Sequence, residues 1–329
     1  MPPIATPITG VIQHYDWGDH EFIPKLLNQQ PDGRPWAELW LGTHKNGPAH
    51  LAKGAPLADL TGELPFLLKV LAAEHPLSLQ VHPSAEQAVD GHRRGVYPDA
   101  NAKPELLCAL THFEALCGVR PVAGSVEILN NLGCHDLAAT LRYAGPQEVI
   151  TDLYRGAADP ARYIAACGTS DLPEARWIRK LNERYPGDPS VAVALLLNYV
   201  TLVPGEALHL TAGNLHAYLG GVGIELMGAS DNVVRGGLTS KFVDVEELLT
   251  IVDLTPLVEP VMTAAAKTGR YPLPEAGCEL VRVEAGGSHT STGHELALSL
   301  DGTASYLPVG STYSPTDTSY VVVSTPPAK

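Results

Sequence analysis

Leu77-Ser78-Leu79-Gln80-Val81-His82-Pro83 decides the fold class. Apolar and polar residues alternate with a period of two and a proline ends the run, the pattern of a half-buried β-strand. Leu77, Leu79 and Val81 would face a core, while Ser78, Gln80 and His82, at i, i+2 and i+4, share the other face and point into one space. Histidine is the commonest imidazole metal ligand, and a glutamine carbonyl oxygen can also ligate. Taken alone, the three polar residues read as the solvent-facing side of an edge strand.

Working outward, residues 37–42 and 65–71 are further apolar runs of strand length. Just downstream, Ser84-Ala85-Glu86-Gln87 fits a capping box that opens a short helix. Between about 105 and 190 the period changes: Val126, Ile128, Leu129 and Leu132, then Leu137, Thr140 and Leu141, recur at helical spacing, with Pro146, Pro173 and Pro186 as boundaries. Strands then return at 191–202 and 207–210, a turn at Ala212-Gly213-Asn214 precedes His216, and 319–324 is a clear last strand. Scattered Gly (31) and Pro (28) punctuate the chain as turn-rich β-proteins require. This order predicts a mainly β protein with a helical insertion: one double-sheet barrel built from the stretches on both sides of the helical block, and a smaller β domain after it.

The 329 residues suggest roughly two domains. With 45% apolar and 18% charged residues, the chain is an ordinary globular one. Its formal net charge of −14 repels phosphate backbones and anionic lipid heads, so neither nucleic acid nor membrane is expected as a partner. Each Lys and Arg is correspondingly informative, because an anionic substrate needs deliberately placed cations. Five widely spaced cysteines with no CxxC pair point to reduced thiols and a cytoplasmic protein. No secretory leader is expected from Met1-Pro2-Pro3-Ile4, and the longest apolar run, 191–200, is interrupted by Asn198 and too short to span a bilayer.

Three more stretches hold chemistry. Lys103-Pro104-Glu105 is forced extended by its proline and alone reads as a loop with a surface ion pair. The stretch 204–216 resembles the second motif of cupin barrels, whose histidine is a metal ligand; His216 fits, with His209 a competitor. In 225–241, Glu225, Asp231, Asn232, Arg235 and Lys241 lie among Gly228, Ala229, Ser230, Gly236 and Gly237. Small residues let backbone approach a ligand closely, and a solvated loop has no need of them beside so many charges.

Together these segments resemble the type I mannose-6-phosphate isomerases (phosphomannose isomerases), zinc enzymes of the cupin class. The resemblance runs through Tyr15-Asp16-Trp17-Gly18, 37–44, 77–83, 97–105, 113–118 and 216–241, nearly the whole chain. It implies a cupin-type double-stranded β-helix (jelly roll) catalytic domain at 1–104 plus 191–254, a helical insertion at 105–190 and a shortened C-terminal β domain at 255–329. Carried over residue by residue, it implies one zinc ion held by Gln80, His82, Glu105 and His216, an active-site arginine at Arg235, and a sugar-phosphate pocket lined by Ser78, Lys103, Glu225, Asp231 and Lys241. The implied activity is interconversion of mannose 6-phosphate and fructose 6-phosphate through a cis-enediol by a monomer acting on a small sugar phosphate. Glu225 and Asp231 are both eligible as the base, with Glu225 preferred; Lys103 or a zinc-bound water is also eligible.

Three positions depart from the family pattern: Ala102 stands where a histidine is usual, Arg235-Gly236-Gly237 where Arg-Ala-Gly is usual, and Thr239-Ser240-Lys241 where Thr-Pro-Lys is usual. The departures keep an isomerase of a related sugar phosphate as the main alternative. A non-catalytic sugar-phosphate-binding cupin would lack a ligand or Arg235, and an iron dioxygenase would favour a multi-histidine site.

Overall fold

The computed structural model describes residues 3–325; residues 1–2 and 326–329 of the expected outer domains lie outside it. Its spine is the strand His216–Gly228, thirteen residues long and bent at Gly220-Gly221. Before the bend, His216 lies opposite Gln80 of strand Leu79–Val81 on one side and opposite Cys117 of strand Phe113–Val119 on the other. After the bend, the same strand pairs with Phe66–Ala73 and Glu105–Ala109. The two halves of one ten-stranded antiparallel sheet thus fold over each other as a jelly roll. Gly221 makes the corner with φ +117°, and a Cβ there would lie 2.5 Å from the His112 carbonyl oxygen.

Strands Glu38–Gly42 and Phe66–Ala73 occupy the expected runs, and every residue in them is buried. Ser84 caps helix Ala85–Arg93 with the full reciprocal capping box. Two expectations need correction. The helical block begins at Val122, not 105, because Glu105–Ala109 and Phe113–Val119 are sheet strands. Glu105–Ala109 is buried on both faces and carries no period to separate it from a buried helix. The block also runs later than expected: 190–193 is helix and 194–196 a 3-10 turn, so the strand expected at 191–202 is only Leu197–Leu202.

Helices Val122–Asn131, His135–Arg155, Pro160–Ala166 and Pro173–Arg184 pack on the outer side of the half-sheet that carries Leu79, Val81, Leu116 and Ala217, forming one shared core. Gly145-Pro146 breaks the long helix, where Gly145 has φ +83°. A second, seven-stranded sheet contains Arg270–Leu273, Cys278–Val283, Ser319–Ser324, Glu295–Ser299 and Ala304–Leu307. Thr6–Thr9 and His50–Leu51 complete that sheet, so the first hundred residues do not all join the barrel. The two sheets bury a common core that includes Leu68, Val70, Ile224, Tyr271 and Val322. All five cysteines are buried and free. Among the described residues no helix is long and apolar enough to cross a membrane.

The corner at Gly221 is testable. Gly221→Ala combines a left-handed φ with a backbone clash and is expected to destabilise the fold by at least about 1 kcal/mol. Urea unfolding measures this, and an unshifted midpoint would refute the role given to the corner.

Candidate active site

Three strands bring His82, Glu105 and His216 together. His82 follows strand Leu79–Val81, Glu105 opens its strand, and His216 opens the long strand. All three are essentially inaccessible, and their ligand atoms lie within 4.8 Å of one another. His82 Nδ1 donates to the Asn232 carbonyl at 2.8 Å, and His216 Nδ1 donates to the Asn214 carbonyl at 2.9 Å. A carbonyl only accepts, so both rings carry a proton on Nδ1, and a neutral ring then turns its Nε2 lone pair inward. Those lone pairs face Glu105, with His82 Nε2 3.2 Å from Oε1 and His216 Nε2 3.4 Å from Oε2. The Gln80 amide reaches His216 Nε2 at 3.4 Å.

Burial, reinforced by the Lys103 charge, pushes the His82 imidazolium down to about 4 despite the opposing pull of Glu105, so the ring is neutral. Burial raises the Glu105 carboxyl, but the ammonium of Lys103 (Nζ 3.0 Å from Oε1) is the largest pull against it, and the group lies well below the usual range. His82 Nε2 and Glu105 Oε2 are buried with no hydrogen-bond partner. Acceptors facing acceptors without a proton between them are unfavourable unless a cation lies among them. Two imidazoles, a carboxylate and an amide suit zinc in a site of mixed nitrogen and oxygen character, with second ring nitrogens anchored as metal-bound histidines require.

Above this cluster opens a cavity of about 660 Å³, reached by Ser78, Gln80, Lys103, Glu225, Asp231, Arg235 and Lys241. All the residues proposed from sequence for this pocket therefore meet in one place. His209 does not: it pairs with Glu275 near the surface, 3.1 Å away. Among the described residues neither Arg235 nor Lys241 makes an ion pair with a carboxylate, whereas Lys103, mostly covered with 13% of its side chain exposed, pairs with Glu105.

Several residues of the cavity were not singled out from sequence. Lys69 lies opposite both Trp40 and Glu225 in the sheet. Its Nζ is 2.8 Å from Glu225 Oε2 and 3.4 Å from Glu38 Oε1, and all three charges are buried. Burial alone would lower the Lys69 pKa, but the two carboxylates raise it, so it stays charged. Burial raises the Glu225 carboxyl; Lys69 offsets part of this, and Glu105 and Glu38 add to it. Tyr218 donates to Glu225 Oε1 at 3.1 Å. Asp231 is held by residues 44–46: His44 Nε2 at 3.2 Å, Lys45 Nζ at 3.7 Å and Asn46 Nδ2 at 3.3 Å. Asn232, fully buried, donates its amide to the carbonyls of Asp99 (2.9 Å) and Asn101 (2.8 Å), tying down the loop that carries Lys103. Arg184 and Tyr185, at the end of an insertion helix, reach the same cavity. A charge inside an apolar run was the available signal for Lys69 and Glu38; nothing in the sequence marked Arg184.

Comparison with known proteins adds a second line of evidence. Residues 6–122 match the family profile described as the catalytic domain of phosphomannose isomerase type I. The mannose-6-phosphate isomerase of Bos taurus is 34% identical over 309 residues, spanning 76% of this chain and 73% of its own length. That of Escherichia coli strain K12 is 34% identical over 284 residues, 73% of each chain. Among solved structures, the apo form of mannose 6-phosphate isomerase from Salmonella typhimurium superimposes with a TM-score of 0.82 at 26% identity, over 98% of this chain and 99% of that one. A mannose 6-phosphate isomerase bound with zinc and yttrium matches with a TM-score of 0.82 at 26% identity, over 98% and 100%.

The neutral His82 has a consequence for stability. Its folded pKa of about 4 lies below the ordinary 6.5, so the unfolded chain takes up the proton first. The metal-free protein is expected to lose about 3 kcal/mol as pH falls from 6.5 to 4, and no more from this group below that. His82→Gln should flatten the difference in chemical-denaturation profiles; a variant profile parallel to wild type across this window would contradict it.

Proposed function

The chain belongs to the type I mannose-6-phosphate isomerases, and from that premise we propose that it interconverts D-mannose 6-phosphate and D-fructose 6-phosphate, moving a proton between C1 and C2 through a cis-enediol. The observation that carries the reading is the inward-facing donor set of His82, Glu105 and His216 beneath a cavity whose Arg235 and Lys241 have no carboxylate partner among the described residues. Gln80, His82, Glu105 and His216 would hold one zinc ion per chain. When bound, zinc supplies Lewis acidity toward the substrate oxygens at C1 and C2.

The remaining work falls to the chain's own side chains. Lys241 and Ser78 bind the phosphate, an assignment supported by the unpaired ammonium at the cavity mouth. Arg235 donates to the oxyanion that develops as the enediol forms and keeps its own proton. Glu225 takes the proton from one carbon and returns it to the other; burial raises its pKa toward the working range of such a base. Lys103 gives and recovers the proton that moves between the two substrate oxygens, and Asp231, half-exposed near the mouth, assists ring opening.

A monomer is the working unit of this reading, and the buried free thiols accord with a cytoplasmic location. The same reading divides the chain into a catalytic jelly roll, a helical insertion from Val122 to the end of helix Ser190–Val193, and a C-terminal β domain that borrows the N-terminal strand.

Purified protein should convert mannose 6-phosphate to fructose 6-phosphate, lose activity to a chelator and regain it with zinc. Turnover of another sugar phosphate in its place would move the reading to a related isomerase. Arg235→Ala should lower kcat far more than it raises KM, and near-normal turnover would remove its role. Glu225→Gln should lower kcat about 10²–10⁴-fold with zinc retained. In wild type, kcat/KM should fall with acid as Glu225 protonates, above the ordinary carboxylate value of about 4.3. A Glu225→Gln enzyme with near wild-type kcat would exclude Glu225 as the base.

A further inference from the structure

We infer that the helical insertion is a clamp on the active-site loop, with Asp188, Ser190 and Tyr154 as positioning residues for Arg235 and Lys241. The inference rests on the reading of those two cations as substrate-binding groups. Strand Val234–Gly237 carries Arg235 opposite Gln80, and three residues separate its end from Lys241. Between them the backbone takes an unfavourable path. Leu238 has φ +52°, and among the described residues only it and Asn28 are non-glycine residues at positive φ. Asparagine tolerates that region; a leucine does not without external support.

The support comes from the insertion. The Leu238 N–H is shared between Asp188 Oδ2 at 2.7 Å and Ser190 Oγ at 3.1 Å. Asp188 Oδ1 also accepts from the Ser190 N–H at 2.9 Å, which locks the acceptor pair in place. Tyr154, in the last turn of helix His135–Arg155, donates its hydroxyl to the Gly236 carbonyl at 2.6 Å. Ser190 and Leu238 are both buried.

The two glycines fit this clamp. A Cβ on Gly236 would sit 3.1 Å from the Tyr154 hydroxyl, and one on Gly237, at φ +136°, would collide with the Ser190 side chain. The insertion also lends Arg184 and Tyr185 to the cavity beside Thr239, Ser240 and Lys241, so it meets the substrate site at this loop. Released, Leu238 would relax to negative φ and carry Thr239–Ser240–Lys241 away from Arg235.

The test uses the full-length, zinc-loaded protein. Asp188→Ala is expected to lower kcat/KM for mannose 6-phosphate about tenfold or more, mainly through KM. It should weaken inorganic phosphate binding in calorimetry to a similar degree, with zinc stoichiometry unchanged. Asp188→Asn, which keeps only one of the two acceptor oxygens, should recover part of both. Tyr154→Phe, which removes one hydroxyl, should shift them the same way by less and covers the case in which Asp188→Ala does not fold. Variants that melt earlier but keep wild-type kcat, KM and phosphate affinity per zinc-loaded site would overturn the clamp and leave a purely structural contact. Absence of mannose 6-phosphate turnover in wild type would count against the activity alone; the phosphate-binding comparison would still decide the clamp.

Discussion

Two imidazoles and a carboxylate, buried with their inner ring nitrogens and oxygens turned toward one another, are the constraint around which the molecule is built. Each ring is pinned from behind by a backbone carbonyl, Asn232 for His82 and Asn214 for His216, so neither can turn its N–H inward. Groups removed from water in this arrangement could hold a metal ion. The jelly roll supplies the means: one bent strand reaches both half-sheets, and the register that sets His216 opposite Gln80 also brings Met227 opposite Glu105.

The same low-dielectric interior organises the charges around the site. Lys69 lies between Glu225 and Glu38, with Trp40 Nε1 donating to Glu38 at 2.7 Å, a row of buried charge crossing three adjacent strands. Breaking a buried pair typically costs about 3–5 kcal/mol because the remaining charge is stranded. Such a row therefore fixes where Glu225 points and how readily it holds a proton. Arg235 and Lys241 stand in the cavity with no carboxylate partner among the described residues, against a chain of net charge −14. Cations so placed attract an anionic ligand to that point, while the anionic surface elsewhere repels it.

Much of this was legible from residues. Alternation in 77–83 placed Gln80 and His82 on one face, and the capping box at Ser84 formed as written. The charged, glycine-rich stretch 225–241 did reach one cavity. Local pattern failed where burial is two-sided. Glu105–Ala109 and the helical turns at 190–196 are both continuous apolar runs, and no period distinguishes them. Lys103 and Glu105 read as a surface pair because nothing local shows that a strand from a hundred residues later covers them. His44 and Arg184 act through contacts distant in sequence, which a single chain does not announce. The left-handed Leu238 is the clearest case, since only the insertion explains why a leucine holds that conformation.

An inward-facing donor set of this kind should bind zinc through nitrogen and oxygen alone. X-ray absorption at the zinc edge, on protein with its metal content measured, tests this directly. One zinc per chain is expected, with two imidazoles and oxygen donors in the inner shell and no sulfur. Zinc bound through sulfur, or a folded protein that takes up no zinc, would contradict it.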